Sequence, residues 1–159
     1  MKILVTAFDK FNHESINLSQ ELLMKISEKE NLRKVFLPTK YQLSAQIVFE
    51  EIRSFKPDMI VLMGEARSRT KLSFEMIGIN IMDASIPDNT GYLAKEEAIN
   101  PKGLSAYFST LIFDDFLDVF KKQQIPFEKS YTAGTFVCNS LLYQTLEYLS
   151  KNNINIPCG

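Results

Sequence analysis

Two short apolar runs, residues 3–7 and 59–63, constrain this chain more than any other feature. Neither alternates apolar with polar positions, so each reads as a strand covered on both faces. Such strands need helices above and below them, and amphipathic repeats supply these. Leu18, Leu22, Leu23 and Ile26 share one helical face, with Asn17 as N-cap candidate. Ile47, Val48, Ile52 and Phe55 mark a second helix, broken by Lys56-Pro57-Asp58. Ile112, Phe113, Phe116, Leu117 and Phe120 form a third stripe, read as core, with Asp114-Asp115 and Lys121-Lys122 suiting its dipole. Residues 141–149 continue as a fourth helix.

Further strand signals fall at 35–37, closed by Pro38, at 74–82, at 125–131 and at 155–158. The succession βαβα predicts an α/β fold with a largely parallel sheet, in one domain spanning 1–159. Residues 85–102, with Pro87, Gly91 and Pro101, read as a long loop, and long loops in compact domains are often functional. The last strand signal has nothing after it to cover it.

Composition excludes several classes. A net charge of −1 offers no electrostatic case for nucleic acid or an anionic membrane. No apolar run approaches the roughly 20 residues of a membrane span. The N-terminal apolar run stops at Asp9, too short for a signal peptide, and reads as a first strand. Two cysteines are too few for a disulfide framework, which favours a reducing cytoplasm. No Cys or His spacing suits a structural zinc site.

The chemistry concentrates at Cys138. A strand signal ends before it, Gly134 permits a tight turn, and a helical pattern follows. A helix N-terminus lowers a thiol's pKa through its unpaired N–H groups, and those groups can also face an oxyanion. The other reading is a buried, inert cysteine, as expected for Cys158. Read as one strand, 74–82 places Glu75 on a face with Ile77, Ile79 and Ile81. A carboxylate there either orients a catalytic base or pairs with Arg67 or Arg69. Phe8 and Phe11 flank Asp9-Lys10 where open α/β sheets bind ligands; they wall an apolar pocket or simply pack. His13, the single histidine, reads as a solvated loop residue.

Three of these segments resemble one family. Thr132-Ala133-Gly134-Thr135-Phe136-Val137-Cys138-Asn139 resembles the cysteine signature of pyroglutamyl peptidase I. The segment 64–80, with Leu72-Ser73-Phe74-Glu75, resembles its glutamate signature, and Phe8-Asp9-Lys10-Phe11 its N-terminal loop. Leu37-Pro38-Thr39, Asp83-Ala84 and Ile86-Pro87-Asp88-Asn89 fit as well, so the likeness runs the length of the chain. The resemblance implies a three-layer α/β/α sandwich with a mixed, mainly parallel sheet. It implies a cysteine exopeptidase that removes N-terminal pyroglutamate from peptides, often as a homotetramer, without metal or cofactor.

By resemblance Cys138 is the nucleophile and Glu75 the acid of a Cys–His–Glu triad. Phe8, Phe11, Phe136 and Val137 line the lactam pocket, with Thr39 and Ile86 near it. Glu65 stands where the family usually has Gln, Asn12-His13 where it has a Gly pair, and Ser85 where it has an arginine near the oxyanion. The family's histidine follows the nucleophile helix, so the expectation is a chain ending before it and lacking the last strand–loop–helix. Two functional readings follow: a pyroglutamyl peptidase, or an inactive homologue that binds a small lactam or peptide N-terminus.

Overall fold

The computed structural model describes residues 1–12 and 14–159. The first apolar run forms β1 (Ile3–Phe8), which lies between β2 (Leu32–Leu37) and β3 (Met59–Met63), parallel to both. All three strands therefore end at one edge, with Phe8, Leu37 and Met63 in neighbouring positions. The strand at 35–37 extends back to Leu32, because in-register pairing with β1 recruits polar positions that lack an apolar signature.

The strands are covered on both faces. Leu4 and Phe8 point into one cluster with α2 (Tyr41–Phe55) and α4 (Val137–Lys151), while Val5 and Ala7 meet Leu23 of α1 (Leu18–Lys25). Helix–sheet–helix layering follows. The α4 residues Val137, Leu141, Leu142, Leu146 and Leu149 are all buried, each contributing about 1.5–3 kcal/mol relative to exposure. α2 ends at Lys56, whose left-handed backbone (φ 52°) precedes Pro57, a residue that cannot continue a helix.

α1 is capped as expected, the Asn17 side chain accepting from the Ser19 N–H at 3.0 Å. Its burial differs from the sequence reading: the face toward β1 is Ser19 and Leu23, while Leu18 and Leu22 are exposed. The third stripe is core only in part: Phe113 is buried just before the helix. In α3 (Asp114–Lys122) no residue is fully buried; Phe116 and Phe120 are half-buried against Phe74 and Phe127.

The run 74–82 is two strands rather than one. β4 (Leu72–Glu75) pairs in parallel with β7 (Phe127–Ser130), whereas β5 (Ile77–Ile79) pairs antiparallel with β6 (Ala106–Phe108). The break is at Met76, whose N–H donates to Ser130 O and whose carbonyl accepts from Ser109 N–H. Gly78 follows directly against α4, where an added Cβ would meet the Tyr143 nitrogen at 2.8 Å. Glu75 thus ends β4 and shares no row with Ile77.

The last strand signal joins the sheet by one bridge at Cys158 rather than as a full strand, with Asn155 exposed and Ile156 half-buried. Ile60 N–H donates to Pro157 O and Leu62 N–H to Gly159 O, adding this segment beside β3. The Cys158 carbonyl accepts from the Thr110 and Leu111 N–H groups, and Cys158 is fully buried. Among the described residues no helix is long and apolar enough to cross a membrane.

Candidate active site

The carboxyl edge of β1, β2 and β3 receives the start of α4. Gly134 makes the turn there with φ 74°, a conformation that favours glycine. The N-cap, Phe136, has no side-chain acceptor, so the first N–H groups of α4 are left without a cap. Cys138 is the second residue of this helix and is half-buried. Its sulfur lies against Gly64, just past β3. A Cβ on Gly64 would sit 2.7 Å from Cys138 Sγ and 3.9 Å from the Phe8 ring. A side chain at position 64 would therefore occupy the space of the thiol.

The helix N-terminus is present, yet its effect on the thiol is outweighed. Burial and the charge of Glu75 push the Cys138 thiol up to about 11, against the lowering contribution of its own backbone N–H. The sequence reading left a lowered thiol and a buried, inert one both open; the contribution of Glu75 was not anticipated, because its placement is a tertiary fact. Deprotonating Cys138 at neutral pH needs a base or a cation beside it.

Glu75 stands at the end of β4 within electrostatic reach of that sulfur. Its Oε1 is held by Arg69 Nη1, and Arg69 Nη2 donates to Thr132 O at 2.8 Å. Arg69 thereby ties the acid to the segment leading into Cys138. The other carboxylate oxygen, Oε2, is buried without a hydrogen-bond partner among the described residues. A buried carboxylate oxygen in that state is a ready acceptor for an N–H.

An aromatic wall adjoins the thiol. Phe8 is buried, and Phe11 meets Phe136 with ring centroids 5.8 Å apart. Tyr41 packs edge-on against Phe136 at 5.5 Å. Val137 is fully buried beneath the first turn of α4. Thr135 joins the segment after β5 to this turn, its Oγ1 donating to Asp83 O at 2.6 Å and its carbonyl accepting from the Asp83 N–H. Half-buried Ile86 and exposed Ser85 lie on that same segment, with Lys95 Nζ donating to Ala84 O at 2.9 Å. Thr39 is buried at the end of β2.

Glu65 has both oxygens engaged. Oε2 accepts from the Leu18 N–H at the start of α1, and Oε1 pairs with Arg67 Nε at 3.1 Å. His13 lies outside the described residues. Asn139 is a site residue that the sequence reading passed over. Fully buried, it accepts from the Ile79 N–H and donates to the Ile79 and Ile81 carbonyls. It locks the helix start to β5. An amide among Val137, Leu141 and Leu142 was the available signal. A groove of about 440 Å³ lies elsewhere, lined by Tyr107, Phe108, Leu146, Leu149 and Ile156.

Layered helices around parallel strands, with a thiol at a helix N-terminus and a carboxylate beside it, define an α/β protein with a candidate cysteine-nucleophile site. The pyroglutamyl peptidase family model (Peptidase C15) matches residues 1–159. A pyrrolidone-carboxylate peptidase of Thermoanaerobacter sp. strain X514 is 44% identical over 162 residues, covering 100% of this chain and 80% of that protein. Its counterpart in Brachyspira hyodysenteriae is 38% identical, again over 100% of this chain and 81% of the relative. The crystal structure of Bacillus amyloliquefaciens pyroglutamyl peptidase I superposes with a TM-score of 0.93 at 34% identity, covering 99% of this chain and 79% of that one. The chain belongs to the pyroglutamyl peptidase family, the cysteine peptidases of class C15.

Proposed function

We propose that this chain forms a thiol-dependent exopeptidase site for peptides bearing an N-terminal pyroglutamyl residue. The reading is carried by Cys138 Sγ at the uncapped first turn of α4, within electrostatic reach of Glu75, whose Oε2 has no hydrogen-bond partner among the described residues. The relatives are named for this activity. Phe8, Phe11, Phe136 and Val137, with Thr39 and Ile86 beside them, suit a compact, neutral lactam ring. Glu65 frames the mouth by holding the start of α1.

Chemically, the Cys138 sulfur attacks the carbonyl carbon linking pyroglutamate to the next residue. The C–S bond forms, the oxygen's charge faces the first N–H groups of α4, and the C–N bond breaks. The thiol proton goes to the leaving amine, and the transfer takes a base; by resemblance this is the family's histidine that follows the nucleophile helix, which is not among the described residues. Glu75 Oε2 would accept from that imidazole's other N–H and hold it in the productive tautomer. Water then hydrolyses the thioester and frees the thiol. A single domain over 1–159, a cytoplasmic setting and assembly as a homotetramer accompany this reading.

The second reading, an inactive homologue that binds a lactam or peptide N-terminus, draws on the protonated state of a thiol held near 11 and on Ser85 at an exposed position. Release of a reporter amine from a pyroglutamyl amide separates the two. The peptidase reading expects turnover by the wild type and none by Cys138→Ala. Equal rates would remove Cys138 as nucleophile. Binding of the amide without turnover would support the second reading.

A further inference from the structure

The loops that carry the aromatic wall converge on one carboxylate that no part of the chemistry uses. Asp9 follows Phe8 directly, and its N–H donates to Leu37 O at 2.8 Å, continuing the β1–β2 ladder. Its Oδ1 accepts from three donors: Thr39 N–H at 2.7 Å, Thr39 Oγ1 at 2.8 Å and Asn89 Nδ2 at 3.1 Å. Its carbonyl accepts from Asn17 Nδ2 at 3.0 Å, the side chain that also caps α1. Asn89 closes the ring, donating from Nδ2 to Lys10 O and from its N–H to Thr39 O, both at 2.9 Å.

One side chain therefore joins the β1–α1 loop with Phe11, the β2–α2 loop with Thr39 and the segment with Ile86. The β1–α1 loop is held at its far end as well. Arg67 donates to Ile16 O and pairs with Glu14, and Glu65 takes the Leu18 N–H. Phe11 is thus fixed against Phe136, two residues before Cys138. Hydrogen bonds to a carboxylate are stronger and shorter than neutral ones, so a hub of this kind sets loop spacing firmly.

We infer that Asp9 is a positioning residue that sets the width of the ring pocket through Thr39 and Asn89, without touching the reacting atoms. The inference rests on the pyroglutamyl reading for its ligand. A residue serving stability alone would lower the melting temperature and leave the affinity of the folded protein unchanged.

The test measures three quantities in folded Asp9→Ala, Asp9→Asn and Asn89→Ala: affinity for a pyroglutamyl amide, alkylation of Cys138 by iodoacetamide, and hydrogen exchange at the Asn89 N–H. Asp9→Ala is expected to weaken the amide by about tenfold or more, to leave alkylation within about twofold, and to deprotect Asn89, whose N–H Asp9 does not itself contact. Asp9→Asn, which keeps an acceptor, retains most of the affinity. Exposed Asn89→Ala, which removes one of the three donors, gives a smaller loss and serves where Asp9→Ala does not fold. Wild-type affinity in folded Asp9→Ala, or equal losses of affinity and alkylation, overturns the proposal. If the wild type does not bind the amide, the substrate reading fails instead; Asn89 deprotection in Asp9→Ala then upholds the hub, and continued protection overturns it.

Discussion

Gly64 and Cys138 share one space: a methyl group on Gly64 would meet the sulfur at 2.7 Å. Glycine at the end of β3 is what lets the first turn of α4 descend onto the sheet edge. Gly64→Ala forces the thiol or the strand end to shift, and such overpacking costs about 1–3 kcal/mol. Urea unfolding should show that loss, and reporter release should fall further than stability alone explains. A variant with wild-type stability and turnover would mean that the two groups are not in contact.

Glu75 and Cys138 oppose each other electrostatically, so one substitution should move reactivity and catalysis in opposite directions. A thiol raised to about 11 is neutral below that pH, leaving about one thiolate in a thousand at pH 8. The iodoacetamide rate should then rise about tenfold per pH unit from 7 to 10, with no plateau near the ordinary thiol value of about 8.5. Glu75→Gln removes the second cause of the shift and keeps the first, burial. Alkylation at pH 8 should quicken about threefold to tenfold while peptidase turnover is lost. Slower alkylation in Glu75→Gln would reverse the assigned sign.

Among the described residues nothing hydrogen-bonds Glu75 Oε2, and Cys138 needs a base. Imidazole added to the buffer should therefore raise turnover of the pyroglutamyl amide by about tenfold, a part of the 10²–10⁴ that a positioned base contributes. The increment should vanish in Glu75→Ala, which offers no acceptor to hold the ring. A rate flat in imidazole, or an increment that survives in Glu75→Ala, would mean Glu75 does not seat the base.

What the residues disclosed by themselves follows a physical division. β1, β3 and α4 were legible because strands covered on both faces and a long buried helix leave their pattern in the residues that build them. Cys138 at a helix start was legible for the same local reason. The break at Met76 was not, since β4 and β5 choose partners, β7 and β6, that lie far along the chain. The exposure of Leu18 and Leu22 was hidden because a helix of eight residues can turn either side of its stripe to a sheet. The upward shift of the Cys138 thiol depends on burial and on Glu75, and neither has a local signature. Arg69 was one of two candidate partners for Glu75, and only the fold selects it.

Asn139 places the helix that carries the nucleophile, and its removal should separate position from chemistry. Its side chain satisfies one N–H and two carbonyls of β5 and the residues after it, in a fully buried setting. Asn139→Ala strands the Ile79 N–H and the Ile81 carbonyl, while the Ile79 carbonyl keeps the Ile81 N–H at 2.9 Å, and each buried polar group left unpaired costs about 1–3 kcal/mol. We expect a loss of about 2–4 kcal/mol in urea unfolding. Asn139→Asp should be at least as damaging, because it loses both donors and turns a charge toward the Ile79 and Ile81 carbonyls. In folded Asn139→Ala the first turn of α4 should loosen, exposing the thiol and quickening its alkylation while turnover falls. Unchanged alkylation together with lost turnover would instead place Asn139 in the reaction itself.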